Sequence, residues 1–333
     1  MNVQKVDASY LSADGKTMLS AIYCFDKEVA KIGVLQIVHG MCEHMERYED
    51  FISHMVGSGF VVCIHDQLGH GSTSKPDDYG FFASENGAEI VLQDIVTLNR
   101  KMYDVFKKLP LFLLGHSMGS FFARWFAERY PSYIDGVIFM GTSGPNPMGA
   151  FGITLTKALT STFGEKHRSK LVHNLSIGGY AKKMKNPKTP YDWISTKRET
   201  VDKYAADYRC TFKFTVSGFK DILTTMQHVN EKEWALAVPK KMPILLISGE
   251  DDPVGDFGEG VKEVYNALKE AEHENLRLIL YKGMRHEPLN EVENQMVYND
   301  LSGWLLYTAD PSISCTCMST TIRRSKKCAH CSF

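Results

Sequence analysis

Short, mainly apolar runs alternate along this chain with longer stretches in which apolar positions return every three or four residues. A strand buried on both faces needs no polar alternation, whereas a helix lying on a sheet needs one apolar stripe. The runs are Ile32 to Val38, Phe60 to Ile64, Leu111 to Leu114, Gly136 to Met140, Pro243 to Ser248 and Leu276 to Tyr281. Between them, Phe51, Ile52, Met55 and Val56, then Val91, Ile95, Leu98 and Met102, then Met118, Phe122, Trp125 and Phe126, fall at helical spacing. The same spacing returns at Val261, Val264, Tyr265 and Leu268 and at Val297, Leu301, Trp304 and Leu305. This order predicts an α/β fold: a mostly parallel sheet with helices on both faces. Ahead of it, Val3 to Tyr10 and Met18 to Phe25 flank the turn-forming Ala13-Asp14-Gly15-Lys16, which predicts an antiparallel hairpin and brings the sheet to eight strands.

Roughly a hundred residues separate Met140 from Pro243, far beyond the ~2 to 6 of an ordinary connection. Helical apolar stripes over Phe151 to Phe163, Leu171 to Met184 and Val201 to Met226, mixed with Tyr180, Tyr191, Trp193, Phe212, Phe214 and Phe219, predict a helical cap inserted after the sixth strand. Most such positions pack a core, and a cap over a site also uses them as lining. The organisation expected is residues 1–143 and 237–308 as the two parts of one core, 144–236 as the cap, and 309–333 as a Cys-rich basic tail outside the fold.

Composition narrows the function classes. The 333 residues carry a formal net charge of -1, so the chain as a whole has no electrostatic pull towards nucleic acid. No apolar run approaches the ~18 to 20 residues of a membrane span, and Met1 to Asp7 lacks the apolar core of a signal peptide, so a cytoplasmic protein with at most transient membrane-surface contact is expected. Of the eight cysteines, Cys315, Cys317, Cys328 and Cys331 crowd the tail beside His330. These are zinc-ligand types, but Cys-x-Cys is not the usual knuckle spacing, and Arg323, Arg324, Lys326 and Lys327 favour a solvated segment, so no metal site is assigned.

The chemistry gathers where strands end, because parallel strands deliver their following loops to one edge of the sheet. Gly115-His116-Ser117-Met118-Gly119 joins an apolar run to a helical stripe, the setting in which a serine is held on a sharp corner with its hydroxyl exposed. Gly115, His116 and Gly119 form the elbow, and Gly115 and Gly119 remove the β-carbons that would collide where strand and helix cross. A serine nucleophile needs an imidazole to take its proton, and the imidazole needs a carboxylate to fix its tautomer. His286, in the turn after the last strand, is the candidate base among twelve histidines; His44, His65 and His70 precede the serine and read as loop-shaping, while His54 lies on a helix and His273 in a polar helix end. Asp252, just before Pro253, is the candidate carboxylate, with Asp251 and Asp256 as rivals. The backbone N–H groups of Met118 and Met41 are the candidate oxyanion donors.

With these residues in view, the chain resembles the α/β-hydrolases of the monoacylglycerol lipase and lysophospholipase group, also labelled serine aminopeptidase S33-like, over residues from about 5 to 308. His39-Gly40-Met41-Cys42-Glu43-His44 with Arg47-Tyr48 is similar to the group's HGxxEHxxRY stretch, Asp66 to Ser72 to its D-x-x-GHG-x-S loop, Gly115 to Gly119 to its GHSMG elbow, and Asp252 to Gly255 and His286-Glu287 to its remaining catalytic segments. The resemblance implies ester hydrolysis by Ser117 through an acyl-enzyme, with no metal or organic cofactor. It implies a small-molecule or lipid ester as partner, led by a single-chain lipid ester such as a monoacylglycerol or lysophospholipid. Short soluble esters are the alternative; aminopeptidase, acyltransferase and silent binding protein are further ones.

Overall fold

The computed structural model describes residues 2–312, so the expectation for the Cys-rich tail lies outside the described residues. One eight-stranded sheet runs in the order β1-β2-β4-β3-β5-β6-β7-β8. Its strands are β1 (Val3–Leu11), β2 (Met18–Asp26), β3 (Gly33–Val38), β4 (Phe60–His65), β5 (Leu111–His116), β6 (Gly136–Met140), β7 (Ile244–Gly249) and β8 (Leu276–Tyr281). From β4 across to β8 every pairing is parallel, and β2 joins β1 and β4 antiparallel, as the hairpin pattern predicts.

The central strands are mainly apolar because both faces are covered, with Gln36 of β3 accommodated by donating to Ile95 O at 2.9 Å, and the period of two divides each between two cores. In β5, Phe112 and Leu114 face one core with α1 (Glu49–Gly57) and α10 (Asn294–Ala309); Leu111 and Leu113 face the other. That second core holds α2 (Gly87–Val105), α3 (Met118–Arg129) and α9 (Glu259–Glu270). Burial of these strands and stripes at about 25 cal/mol per Å² of apolar surface is what holds the layers together. Among the described residues, no helix is long and apolar enough to cross a membrane.

Between β6 and β7 lie α4 (Gly149–Phe163), α5 (Lys170–Ser176), α6 (Arg198–Ala206), α7 (Val216–His228) and α8 (Lys232–Ala237). The expected stripes are broken twice here. Leu171 to Met184 stops as an α-helix at Ser176, ahead of Gly178-Gly179, and resumes as a short 3-10 turn. Val201 to Met226 is two helices, because polar side chains offer the backbone local partners that compete with the helix. Asp207 accepts from the Arg209 N–H at 2.8 Å in a turn, and Thr215 caps α7 by accepting from the Gly218 N–H at 3.0 Å.

Candidate active site

The sharp corner after β5 is present. Ser117 has φ 53° and ψ -119°, a conformation a β-carbon-bearing residue adopts only under constraint. The constraint is close packing: a β-carbon on Gly115 would come within 2.2 Å of the Gly119 carbonyl oxygen, and one on Gly119 within 2.1 Å of the Val38 oxygen. Ser117 donates its N–H to Met140 O at 2.9 Å, which pins the corner to β6. The loop after β3 lies against it, since a β-carbon on Gly40 would sit 3.0 Å from Ser117 Cβ. Met118 opens α3, so its N–H lacks an intrahelical acceptor, and neither it nor the Met41 N–H has a partner among the described residues.

Asp252 is fully buried, accepting at Oδ1 from the Val254 N–H at 2.9 Å and at Oδ2 from the Ser248 hydroxyl at 3.2 Å. Its Oδ2 lies 2.9 Å from His286 Nδ1. A carboxylate only accepts, so Nδ1 carries the proton and Nε2 is left as the acceptor. The rivals Asp251 and Asp256 are exposed. Ser117, His286, Met41 and Met118 line one cavity of about 580 Å³, whose apolar wall includes Phe121, Phe219, Ile222, Leu223 and Met226. That volume is in the range of small-molecule sites. Loops at the ends of β3, β5, β7 and β8 thus meet at one edge, with α7 of the insert across from them.

His116, placed in the elbow by the sequence, belongs to a second pair. Its Nδ1 lies 2.8 Å from Glu43 Oε1 and its Nε2 3.2 Å from the His286 carbonyl oxygen. Glu43 also accepts from the Tyr48 hydroxyl at 3.0 Å, from Arg47 at 3.3 Å and from the Gly40 N–H. Arg47 in turn forks onto Glu287 through two bonds of 2.7 Å. Burial pushes the Glu43 carboxyl up, but the charge and hydrogen bond of His116, with the charges of Arg47 and His39, outweigh it and hold it below the usual carboxylate range. Burial pushes the His116 ring down, and the Glu43 charge and hydrogen bond more than offset that, so its pKa is raised. The sequence flagged these residues as motif letters without a role; a glutamate inside an otherwise buried strand-to-helix loop was the available signal.

The other histidines do different work. His70 donates from Nδ1 to Leu68 O at 2.9 Å and accepts from the Cys42 N–H at 3.4 Å, shaping the loops after β4 and β3 as expected. His39 accepts from the Gln67 N–H at 3.0 Å. His273 reaches Ala235 O at 2.9 Å, and His65 is buried without a hydrogen-bond partner among the described residues. His44 Nε2 bonds Asp207 Oδ2 at 2.9 Å, clasping the β3 loop to the insert. Together with Cys210 these are the metal-ligand types that gather among the described residues, within 4.8 Å of one another. The Arg209 guanidinium already sits 3.1 Å from the same Asp207 oxygen, so the carboxylate's charge is matched by a side chain.

Comparison with known proteins agrees with this geometry. The chain matches the family model described as serine aminopeptidase, S33, over residues 30–293. It is 25% identical over 277 residues to the monoglyceride lipase of Homo sapiens, covering 81% of this chain and 80% of that protein. A solved structure of a highly thermostable carboxyl esterase from Bacillus coagulans in complex with glycerol is similar with a TM-score of 0.86 at 30% identity, covering 93% of this chain and 99% of that one. Another, a lipase in an open form, has a TM-score of 0.85 at 28% identity, covering 92% of this chain and 100% of that one. The sheet order, the elbow and the matched span lead to one assignment: the chain belongs to the serine aminopeptidase S33 family and has the α/β-hydrolase fold.

Proposed function

We propose that this protein is a serine hydrolase of carboxylic esters, with Ser117 as nucleophile, His286 as base and Asp252 as the carboxylate that orients it. The observation that carries the reading is that one cavity is lined by a serine on a strained corner, a histidine already bonded to a buried carboxylate, and Met41 and Met118, whose backbone N–H groups have no partner among the described residues. Ser117 Oγ attacks the ester carbonyl carbon while its proton passes to His286 Nε2, and Asp252 stabilises the imidazolium. The tetrahedral oxyanion is received by the N–H groups of Met41 and Met118, each such donor being worth about 10²- to 10³-fold in rate. The alcohol leaves with the proton from His286, giving an acyl-enzyme. Water, deprotonated by the same imidazole, then releases the acid and regenerates Ser117. No step calls on a metal or organic cofactor.

The apolar wall of the cavity and the relatives named as monoglyceride lipases favour a single-chain lipid ester. The carboxyl esterase neighbour at 30% identity favours short soluble esters as the second reading. Hydrolysis of an ester series from acetyl to palmitoyl, with monoacylglycerol included, separates them. The first reading expects a maximum on medium or long chains, and activity confined to acetyl and butyryl esters would replace it by the second. Undiminished turnover by Ser117→Ala would remove the nucleophile assignment from both.

A further inference from the structure

The hydrogen bond to Asp252 fixes one nitrogen of His286, but a ring held at one atom can still swing about it. Two other rings pack against this imidazole. His116 of the core has its centroid 4.9 Å away at 40°, and Trp193 of the insert 5.1 Å away at 44°. Trp193 is itself only 8% exposed and is backed by Tyr180, with centroids 5.2 Å apart.

The segment carrying Trp193 is bonded to the histidine loop along its length. The His286 N–H donates to Trp193 O at 3.4 Å and the Glu287 N–H to Ile194 O at 2.8 Å. The Arg285 guanidinium donates to Asp192 O and, at 3.2 Å, to Ser195 O. Behind them the Glu291 carboxylate, 1% exposed, accepts from the Arg285 N–H at 2.8 Å, the Ser195 hydroxyl at 3.0 Å and the Thr196 N–H at 2.9 Å. Glu291 joins insert and loop without lining the cavity.

We propose that Trp193 is a positioning residue for His286, held in place by the Glu291 tether, so that the insert supplies part of the catalytic geometry as well as a cover. The proposal rests on His286 being the base. Proton transfer needs Nε2 within about 3 Å of the serine oxygen, and a misplacement near 1 Å costs about 10²-fold. The indole blocks that swing, and the Glu291 bonds keep the indole's backbone in register with the histidine's.

The test uses the full-length protein and 4-nitrophenyl acetate, whose acyl group is too short to depend on the apolar wall. Trp193→Ala is expected to lower kcat about 10- to 100-fold with KM within threefold, Trp193→Phe to return kcat to within about threefold of wild type, and Glu291→Gln to lower kcat about 3- to 10-fold with KM unchanged. If Trp193→Ala does not fold, Trp193→Leu, which keeps apolar volume without an aromatic face, is judged by the same split. A raised KM at unchanged kcat in the Trp193 variant makes the indole mere lining and overturns the proposal, as does wild-type kcat in Glu291→Gln. His286→Ala is run alongside. Its retention of activity would sink the active-site reading itself, whereas an inactive His286→Ala beside fully active Trp193 and Glu291 variants would sink only the positioning role.

Discussion

Two buried histidine–carboxylate pairs stand side by side at the carboxyl edge of the sheet, His286 with Asp252 at 2.9 Å and His116 with Glu43 at 2.8 Å. The lengths are nearly the same, and the difference lies at the second ring nitrogen. His116 Nε2 meets the His286 carbonyl, and its Nδ1 meets Glu43 Oε1 and, at 3.2 Å, the Tyr48 hydroxyl, so neither nitrogen is left open. The Glu43 carboxylate and the backbone carbonyl favour the protonated ring, whose pKa is raised. His286 Nε2 has no protein partner among the described residues and borders the cavity, so it is free to take a proton. One contact therefore leaves the first ring with an open nitrogen and makes the second a structural brace. The brace ties together the loops after β3, β5 and β8 through Gly40, His116 and Glu287.

The largest effect expected is on the open pair. Ser117→Ala removes the proposed nucleophile, and ester turnover should fall about 10⁴-fold or more with the melting temperature almost unchanged. Residual turnover within tenfold of wild type would mean that the open pair serves another nucleophile.

The sealed pair should fail the other way. Glu43→Ala leaves His116, Tyr48 and the Gly40 N–H without their acceptor, and should lower unfolding free energy by about 3 to 5 kcal/mol in urea titrations near pH 6. The sign of its pH dependence follows from the two shifts. Glu43 is lowered from 4.5, so its contribution is present above that value and lost in acid. His116 is raised from 6.5, so its contribution is full below 6.5 and lost as pH climbs through the raised value. The destabilisation by Glu43→Ala should therefore be larger at pH 6 than at pH 9. Equal losses at both pH values would show that His116 is not the charged partner.

A third buried carboxylate sharpens the comparison because it lacks a cation. Asp94 accepts from Ser12 Oγ at 2.8 Å and the Ala13 N–H at 2.7 Å, and burial pushes it up to about 7. Folded protein holds this proton between the ordinary 3.8 and about 7, so stability falls as pH rises through that window. Asp94→Asn should remove on the order of 4 kcal/mol of that fall, read from unfolding at pH 4 and pH 8. An unchanged slope would place the proton elsewhere.

The smallest effect probes the apolar wall of the cavity that Ser117 and His286 line. Leu223→Trp fills part of the apolar wall, and should shift the ratio of palmitoyl to butyryl hydrolysis about tenfold towards butyryl. A ratio that does not move would put the acyl chain along another wall.

Most of the architecture was legible along the chain. The apolar runs locate β3 to β8 to within a residue or two at each end, since a strand covered by helices is mainly apolar. The insert was less so, because Asp207 and Thr215 break one apparent stripe through hydrogen bonds that periodicity does not register. At the site, the preference for Asp252 over Asp251 and Asp256 matches the residue that meets His286, and the loop-shaping reading holds for His70. The brace escaped notice, because its partners lie far apart in sequence: Glu43 and His116 are separated by 73 positions, Arg47 and Glu287 by 240.

By itself the sequence determined the order of strands and helices, the glycines that let β5 and α3 cross tightly, and the set of polar residues delivered to one edge of the sheet. Those are local properties, set by side-chain period and backbone sterics within a few residues. Only the tertiary structure decided which carboxylate each imidazole meets, which nitrogen stays open to the cavity, and that Trp193 of the insert lies on His286. Proton-carrying behaviour depends on partners brought within 3 to 4 Å by the whole fold, and no spacing along the chain encodes that distance.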